Sequence, residues 1–321
     1  MATNWMRRTV MVAACATAAL LAACGSSTIE SALTPDRFIA FGDAFSDVGQ
    51  KGARYTVNDG SVNNWTQQLA SRYGKTITPA ASGGLSYATG NARITAKPDA
   101  AGDATTLTVT EQIEKFFKDG RSFGANDVVF VNAGTSDVIA GVAAFNASPK
   151  TEADRLAMLA TARSAGEQLA AQVRGLVTAG AKYVVVMGPY DMSKSIWATA
   201  IISATLLHDA STSFNTGLSV GIVDLGANVL SIDAAYYVNL YTNAPGSYGF
   251  DNATTPVCTS VDAGNGIGIG TGQVNSALCT AATLLPGANQ NKYVFADAVY
   301  LTPSAHRQLG DYAYDRLRAR W

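Results

Sequence analysis

Charge is what this sequence has least of. Asp, Glu, Lys and Arg make up 15% of its 321 residues, against roughly 25% in an ordinary globular chain. The 23 basic and 24 acidic residues nearly cancel, leaving a formal net charge of −1, so there is no electrostatic footprint for a nucleic-acid partner. Histidine occurs twice, as His208 and His306, which argues against a histidine-based metal site, and no cofactor is expected. The 30 glycines and 9 prolines are too few for a collagen-like chain. What is present in quantity is apolar: 48% hydrophobic residues exclude disorder and suffice for one large core or two small ones.

Long apolar runs are also absent, with one informative exception near the start. Arg7 and Arg8 precede an uncharged stretch from Thr9 to Leu21, followed by Ala22-Ala23-Cys24-Gly25. A charged lead, a short apolar run and small residues before a cut describe a secretory signal. The run is too short to span a bilayer, which takes about 20 residues. Leu21-Ala22-Ala23-Cys24 resembles a bacterial lipobox, which implies an acylated Cys24 as the new N-terminus, and Gly25 after it suggests the outer membrane. Residues 1–23 are thus expected to be a signal peptide and 24–35 a lipidated tether. The only partner this implies is the membrane, and no protein partner is legible. Two arginines and no acid leave with the signal, taking the net charge to −3.

Cysteine is scarce too. Cys15 leaves with the signal and Cys24 carries lipid, so Cys258 and Cys279 remain, and an oxidising compartment favours pairing them. A bridge across twenty intervening residues stabilises by about 3 kcal/mol on the chain-entropy account. The enclosed segment has Gly264, Gly266, Gly268, Gly270 and Gly272. No strand leads into it and no Lys or helix start follows, so it is not a phosphate cradle.

Beyond the tether, strands and helices alternate. Arg37–Phe41, Val128–Val131, Tyr183–Met187 and Val229–Ile232 read as short strands buried on both faces. Leu169, Val173, Leu176 and Val177 form a helical stripe closed by Gly180. Thr302 and Pro303 read as N-cap and first residue of a last helix carrying Leu309, Ala313 and Leu317 on one face. The pattern predicts a single α/β domain over 36–321, a parallel sheet with helices on both sides. In such sheets, chemistry sits at the carboxyl ends of the strands.

Read in that order, the strand ends carry four blocks. They are Gly42-Asp43-Ala44-Phe45-Ser46-Asp47, Tyr87-Ala88-Thr89-Gly90-Asn91-Ala92-Arg93, Gly134-Thr135-Ser136-Asp137 and Asp297-Ala298-Val299-Tyr300-Leu301-Thr302. Together they resemble the GDSL (SGNH) esterase/lipase family, especially its secreted and outer-membrane bacterial members. The family pattern is Gly-Asp-Ser-Leu-Ser-Asp, Tyr-Ala-x-Gly-Gly-Ala-Arg, Gly-x-Asn-Asp and Asp-x-x-His-Pro-Thr. The resemblance implies a three-layer α/β/α, flavodoxin-like fold and ester hydrolysis. It also implies that position 44 carries the nucleophile, position 300 the base, Asp297 its orienting carboxylate, and Gly90 and position 136 the oxyanion donors. Gly124-Ala125-Asn126-Asp127 spells the third block letter for letter, but it precedes its strand, so Gly134–Asp137 is the better match.

The chemistry asks for a hydroxyl nucleophile, an imidazole, a carboxylate and oxyanion donors. Ala44 replaces the serine, Tyr300 the histidine and Ser136 the asparagine, while Gly90 and Asp297 remain. A methyl group cannot attack, and a phenol with a reference pKa near 10 is a poor base. Ser46, expected on a helix start about 200° around the axis from the attacking position, points elsewhere, and Asp47 fits the first turn of that helix. His306 reads as structural and His208 as surface or packing. Three readings follow: a catalytically dead member that keeps a cleft for ester, acyl or acetylated-glycan groups; an active carboxylic-ester hydrolase with a non-standard nucleophile; and a purely structural protein whose cleft is filled by side chains.

Overall fold

Four strands of almost wholly apolar sequence set the frame. In the computed structural model, which describes residues 31–321 apart from 63 and 202, β1 (Phe38–Gly42), β2 (Val128–Asn132), β3 (Tyr183–Met187) and β4 (Val229–Ser231) form one parallel sheet in that order. The expected signal peptide and Cys24 lie outside the described residues. Every residue of β1 and β2 is buried, as strands covered on both faces require.

Their side chains alternate between two apolar layers. Phe38, Ala40, Val128, Phe130 and Val185 face one core, and Ile39, Phe41, Val129, Val131 and Val184 face the other. Helices α1 (Trp65–Arg72) and α7 (Pro303–Arg320) cover the first face through Trp65, Leu69, Leu309, Ala313 and Leu317. Helices α2 (Val109–Lys118) and α4 (Glu152–Thr178) cover the second through Phe116, Leu169, Val173 and Leu176. Between them run α3 (Thr135–Ala147), α5 (Ala204–Gly221) and α6 (Ala234–Asn243). The last helix starts as its sequence predicts, with the Thr302 side chain accepting the Ala305 amide and Pro303 in the first turn.

The sheet has a fifth member that no sequence run announces. The Ala40 amide donates to Leu85, and the Tyr87 and Thr89 amides donate back to Ala40 and Gly42. The 85–89 segment therefore lies parallel to β1 on the side away from β2. That gives the 2-1-3-4-5 strand order of the flavodoxin-like fold, with its reversal at β1. β1 ends in glycine for a steric reason: Gly42 has φ +146°, and a Cβ there would lie 1.9 Å from the Asn132 carbonyl oxygen.

Cys258 and Cys279 are disulfide-bonded. Between them, Val261–Asp262 and Gln273–Val274 pair as a two-residue antiparallel ribbon, β5 and β6. Among the described residues, no helix is long and apolar enough to cross a membrane.

Candidate functional site

The turn that leaves β1 is tight and buried. The Ser46 amide donates to the Asp43 carbonyl and the Asp47 amide to that of Ala44. The helix start expected here is not formed. Instead the Asp47 carboxylate accepts the Gly49 and Gln50 amides, both at 2.8 Å, and Gly49 takes φ +107°, which ends any helical run. The other Asp47 oxygen accepts the Gly90 amide at 2.7 Å. The N–H that the resemblance assigns to an oxyanion is therefore already spent on a carboxylate of the same chain.

Ala44 and Ser136 are buried to within 1% of full occlusion, and Tyr300 completely. The Tyr300 ring meets Phe45 at 5.5 Å and Tyr55 at 5.3 Å, both edge-on. Tyr55 in turn lies across Gly90, where an added Cβ would sit 1.9 Å from its ring. These aromatic edges pack beside Phe45, which follows Ala44, and against Gly90. Tyr55 was not legible as a site residue, because it belongs to none of the four blocks. Asn91, which stands where the second block of the family has its second glycine, also joins the site. It takes the left-handed φ of 63°, a conformation glycine and asparagine adopt most readily, and its amide donates to Gly266 at 2.9 Å.

Asp297 does not sit free to orient a base. One oxygen accepts the Val299 and Tyr300 amides at 2.8 and 2.7 Å, and the other accepts Ser276 at 3.0 Å. Burial raises its pKa despite these donors. Asp43 is fully buried with one carboxylate oxygen unpartnered, and burial pushes it up to about 7. It faces the amides of Thr135 and Ser136 at the start of α3. Burial also lifts Asp47 to about 6, against the opposing amides. Asp137 rises to about 6 by burial, partly offset by Arg93 at 3.4 Å. Burial and then the nearby Asp43 and Asp297 charges hold the Tyr300 phenol well above its ordinary pKa. Its hydroxyl, the Ser136 hydroxyl and one Asp43 oxygen have no hydrogen-bond partner.

No substitute nucleophile and base come together here. Ser46 donates to Asn132 and accepts from the Trp65 indole, both at 3.2 Å, as a packing residue does. His306 is buried with its ring 5.5 Å from Phe45. Burial, then Arg307, lowers it to about 3, so it stays neutral, and its Nδ1 has no hydrogen-bond partner. His208 is half exposed and pairs with Asp191 at 2.9 Å. Asn126 of the alternative third block lies before β2 and bonds Asp36, at the amino edge of the sheet.

The disulfide-closed segment lies over this end of the sheet. Ile267 is buried, Asn265 bonds the Ala101 carbonyl, and a Cβ at Gly268 would lie 2.4 Å from that of Ala100. Asn58, three residues after Tyr55, donates its amide to the Cys279 carbonyl at 2.8 Å. A cavity of about 470 Å³ opens instead at the ends of β3 and β4, lined by Gly188, Asn215, Ser219, Ser231, Asp233 and Ala235 among others. It shares no residue with the four blocks.

Comparison with known proteins comes down on one family. The model described as GDSL-like Lipase/Acylhydrolase matches residues 38–313. No curated protein matches. Among solved structures, the extracellular lipase of Streptomyces rimosus is 19% identical with a TM-score of 0.38, covering 62% of this chain and 81% of that one. Another crystal structure is 13% identical with a TM-score of 0.47, over 88% of this chain and 97% of that one.

Proposed function

Because the chain belongs to the GDSL-like lipase/acylhydrolase family, we propose that it is a member that has lost ester hydrolysis and is held at the bacterial outer membrane through an acylated Cys24. The observation that carries the first half is Ala44, buried with only a methyl group at the position where the family carries its nucleophile. Two further facts support it: the Gly90 amide is occupied by Asp47, and Asp297 is committed to three backbone amides. The side-chain-filled reading is favoured over an open cleft for acyl or acetylated-glycan groups, since such a ligand would need Tyr55 to swing aside. No observation favours a non-standard nucleophile.

The test is an ester-hydrolysis assay on the mature chain, alongside fluorophosphonate labelling, which requires an activated serine. We expect background turnover and no label. Robust turnover surviving removal of Ser46, Ser136 and His306 in turn would overturn the proposal.

A further inference from the structure

The chain enters the domain at the edge of the sheet opposite the four blocks. Ser31 donates its hydroxyl to the Trp321 carbonyl at 2.6 Å, and the Leu33 amide shares that acceptor. The Asp36 amide reaches Asn126, and the Arg37 guanidinium bonds Asp127 just before β2. Trp321 packs edge-on against Tyr183, the first residue of β3, and its indole bonds Ala227 just before β4. Chain entry thus sits at the amino ends of the strands, while residues 44, 90 and 136 follow their carboxyl ends and Tyr300 packs against Phe45 there.

We infer that the carboxyl edge faces away from the bilayer holding Cys24, so that what this edge engages is reached from the aqueous side and is not a lipid of that bilayer. This rests on the lipid-anchor half of the proposed function. The argument is one of reach. Six residues separate Cys24 from Ser31, and the seven steps between them span about 25 Å at full extension. A domain of this size has a radius of gyration of roughly 19 Å, hence a width of about 50 Å. To lay the carboxyl edge on its own bilayer, the tether would have to round the equator and drop to the membrane, a path of about 60 Å for a domain of that width. Even if everything before Phe38 peeled away, fourteen residues would give only about 50 Å. The tether is too short either way.

The experiment places a donor fluorophore at Lys182→Cys or Thr271→Cys in the full lipidated chain and an acceptor dye in phospholipid vesicles. Lys182 is exposed just before β3, and Thr271 is exposed in the disulfide-closed segment beside Asn91. Energy transfer at position 182 should be several-fold stronger than at 271. Inserting about 40 flexible residues after Ser27 should abolish the difference, because such a linker no longer fixes orientation. Equal or stronger transfer at 271 with the native tether overturns the inference alone. A wild-type chain that does not float with vesicles, or a Cys24→Ala chain that floats as well as wild type, overturns the anchor and the inference with it.

Discussion

The two ends of the sheet's carboxyl edge differ in kind. At β1 and β2, buried carboxylates, a tyrosine pair and a disulfide-closed segment crowd the turn after β1, whereas at β3 and β4 the edge opens into a cavity of about 470 Å³ lined by both polar and apolar groups. The first end carries several buried polar atoms without partners, among them on Asp43, Asn91, Ser136 and Tyr300. In the second, Ser219 and Asp233 are exposed to water. A polar group costs little when it stays wet and much when it is buried unpaired. Unpaired buried groups of this kind are what the proposed loss of ester hydrolysis would leave behind at the first end.

The sharpest way to break the contrast is to restore that chemistry. Ala44→Ser alone should recover little hydrolysis, because no imidazole would activate the hydroxyl. Losing either partner in another hydrolase costs about 10⁶ in rate, and such losses do not add. Ala44→Ser with Tyr300→His should give measurable turnover of short activated esters, and Ser136→Asn should raise it by up to about 10²–10³. The Asp47–Gly90 bond sets a further condition. The restored enzyme should stay slow until Asp47→Asn weakens the competing acceptor, and circular dichroism on each variant checks that the fold persists.

Titration separates the ends next. Asp43, Asp47 and Asp137 all have folded pKa values raised above the carboxylate reference. The folded chain then binds more protons than the unfolded one between about pH 4 and 7, so stability falls as pH rises through that window. For Asp43 the shift from 3.8 to about 7 corresponds to ~4 kcal/mol. Urea unfolding should show wild type more stable at pH 5 than at pH 8, and Asp43→Asn should remove the largest share of that slope. A slope unchanged in Asp43→Asn would mean the carboxylate is not buried as described.

How much of this was legible beforehand follows a physical line. The strands, the last helix and the four blocks could be read, because burial on both faces and cap chemistry write themselves into short local patterns. The fifth strand could not, since the 85–89 segment pairs through backbone groups that any sequence supplies. Tyr55 and the Asp47–Gly90 bond were hidden for a related reason. Both are contacts between segments more than thirty residues apart, and only the tertiary fold brings them together. The helix start expected at Ser46 failed because Asp47 had a better use for its carboxylate than a helix dipole.

The disulfide tests whether the closed segment seals the first end or merely decorates it. Replacing Cys258 and Cys279 together by alanine should cost about 3 kcal/mol on the chain-entropy account. The glycine-rich segment should loosen most. The bonds from Asn58 to Cys279 and from Ser276 to Asp297 carry the effect further, to Tyr55 and the turn holding Tyr300. Hydrogen exchange should therefore rise at Asn58, Ser276 and Tyr300 as well as between residues 259 and 275, with no change at residues lining the open cavity. Protection lost only inside the closed segment would show that the seal stands without it.

The smallest effect discriminates most finely between burial and exposure. Tyr300→Phe deletes a hydroxyl that is buried and unpartnered while keeping the ring that meets Phe45 and Tyr55. Leaving such a group unpaired costs about 1–3 kcal/mol, so its removal should stabilise the fold, by about 1 kcal/mol once local relaxation is allowed for. Ser219→Ala deletes a hydroxyl at the open end, where water already satisfies it, and should stay within about 0.5 kcal/mol of wild type. Paired denaturant curves at one pH read both. If Tyr300→Phe destabilises instead, its hydroxyl has a partner in solution, most simply a trapped water between Tyr300 and Asp43, and the first end is sealed around solvent rather than dry.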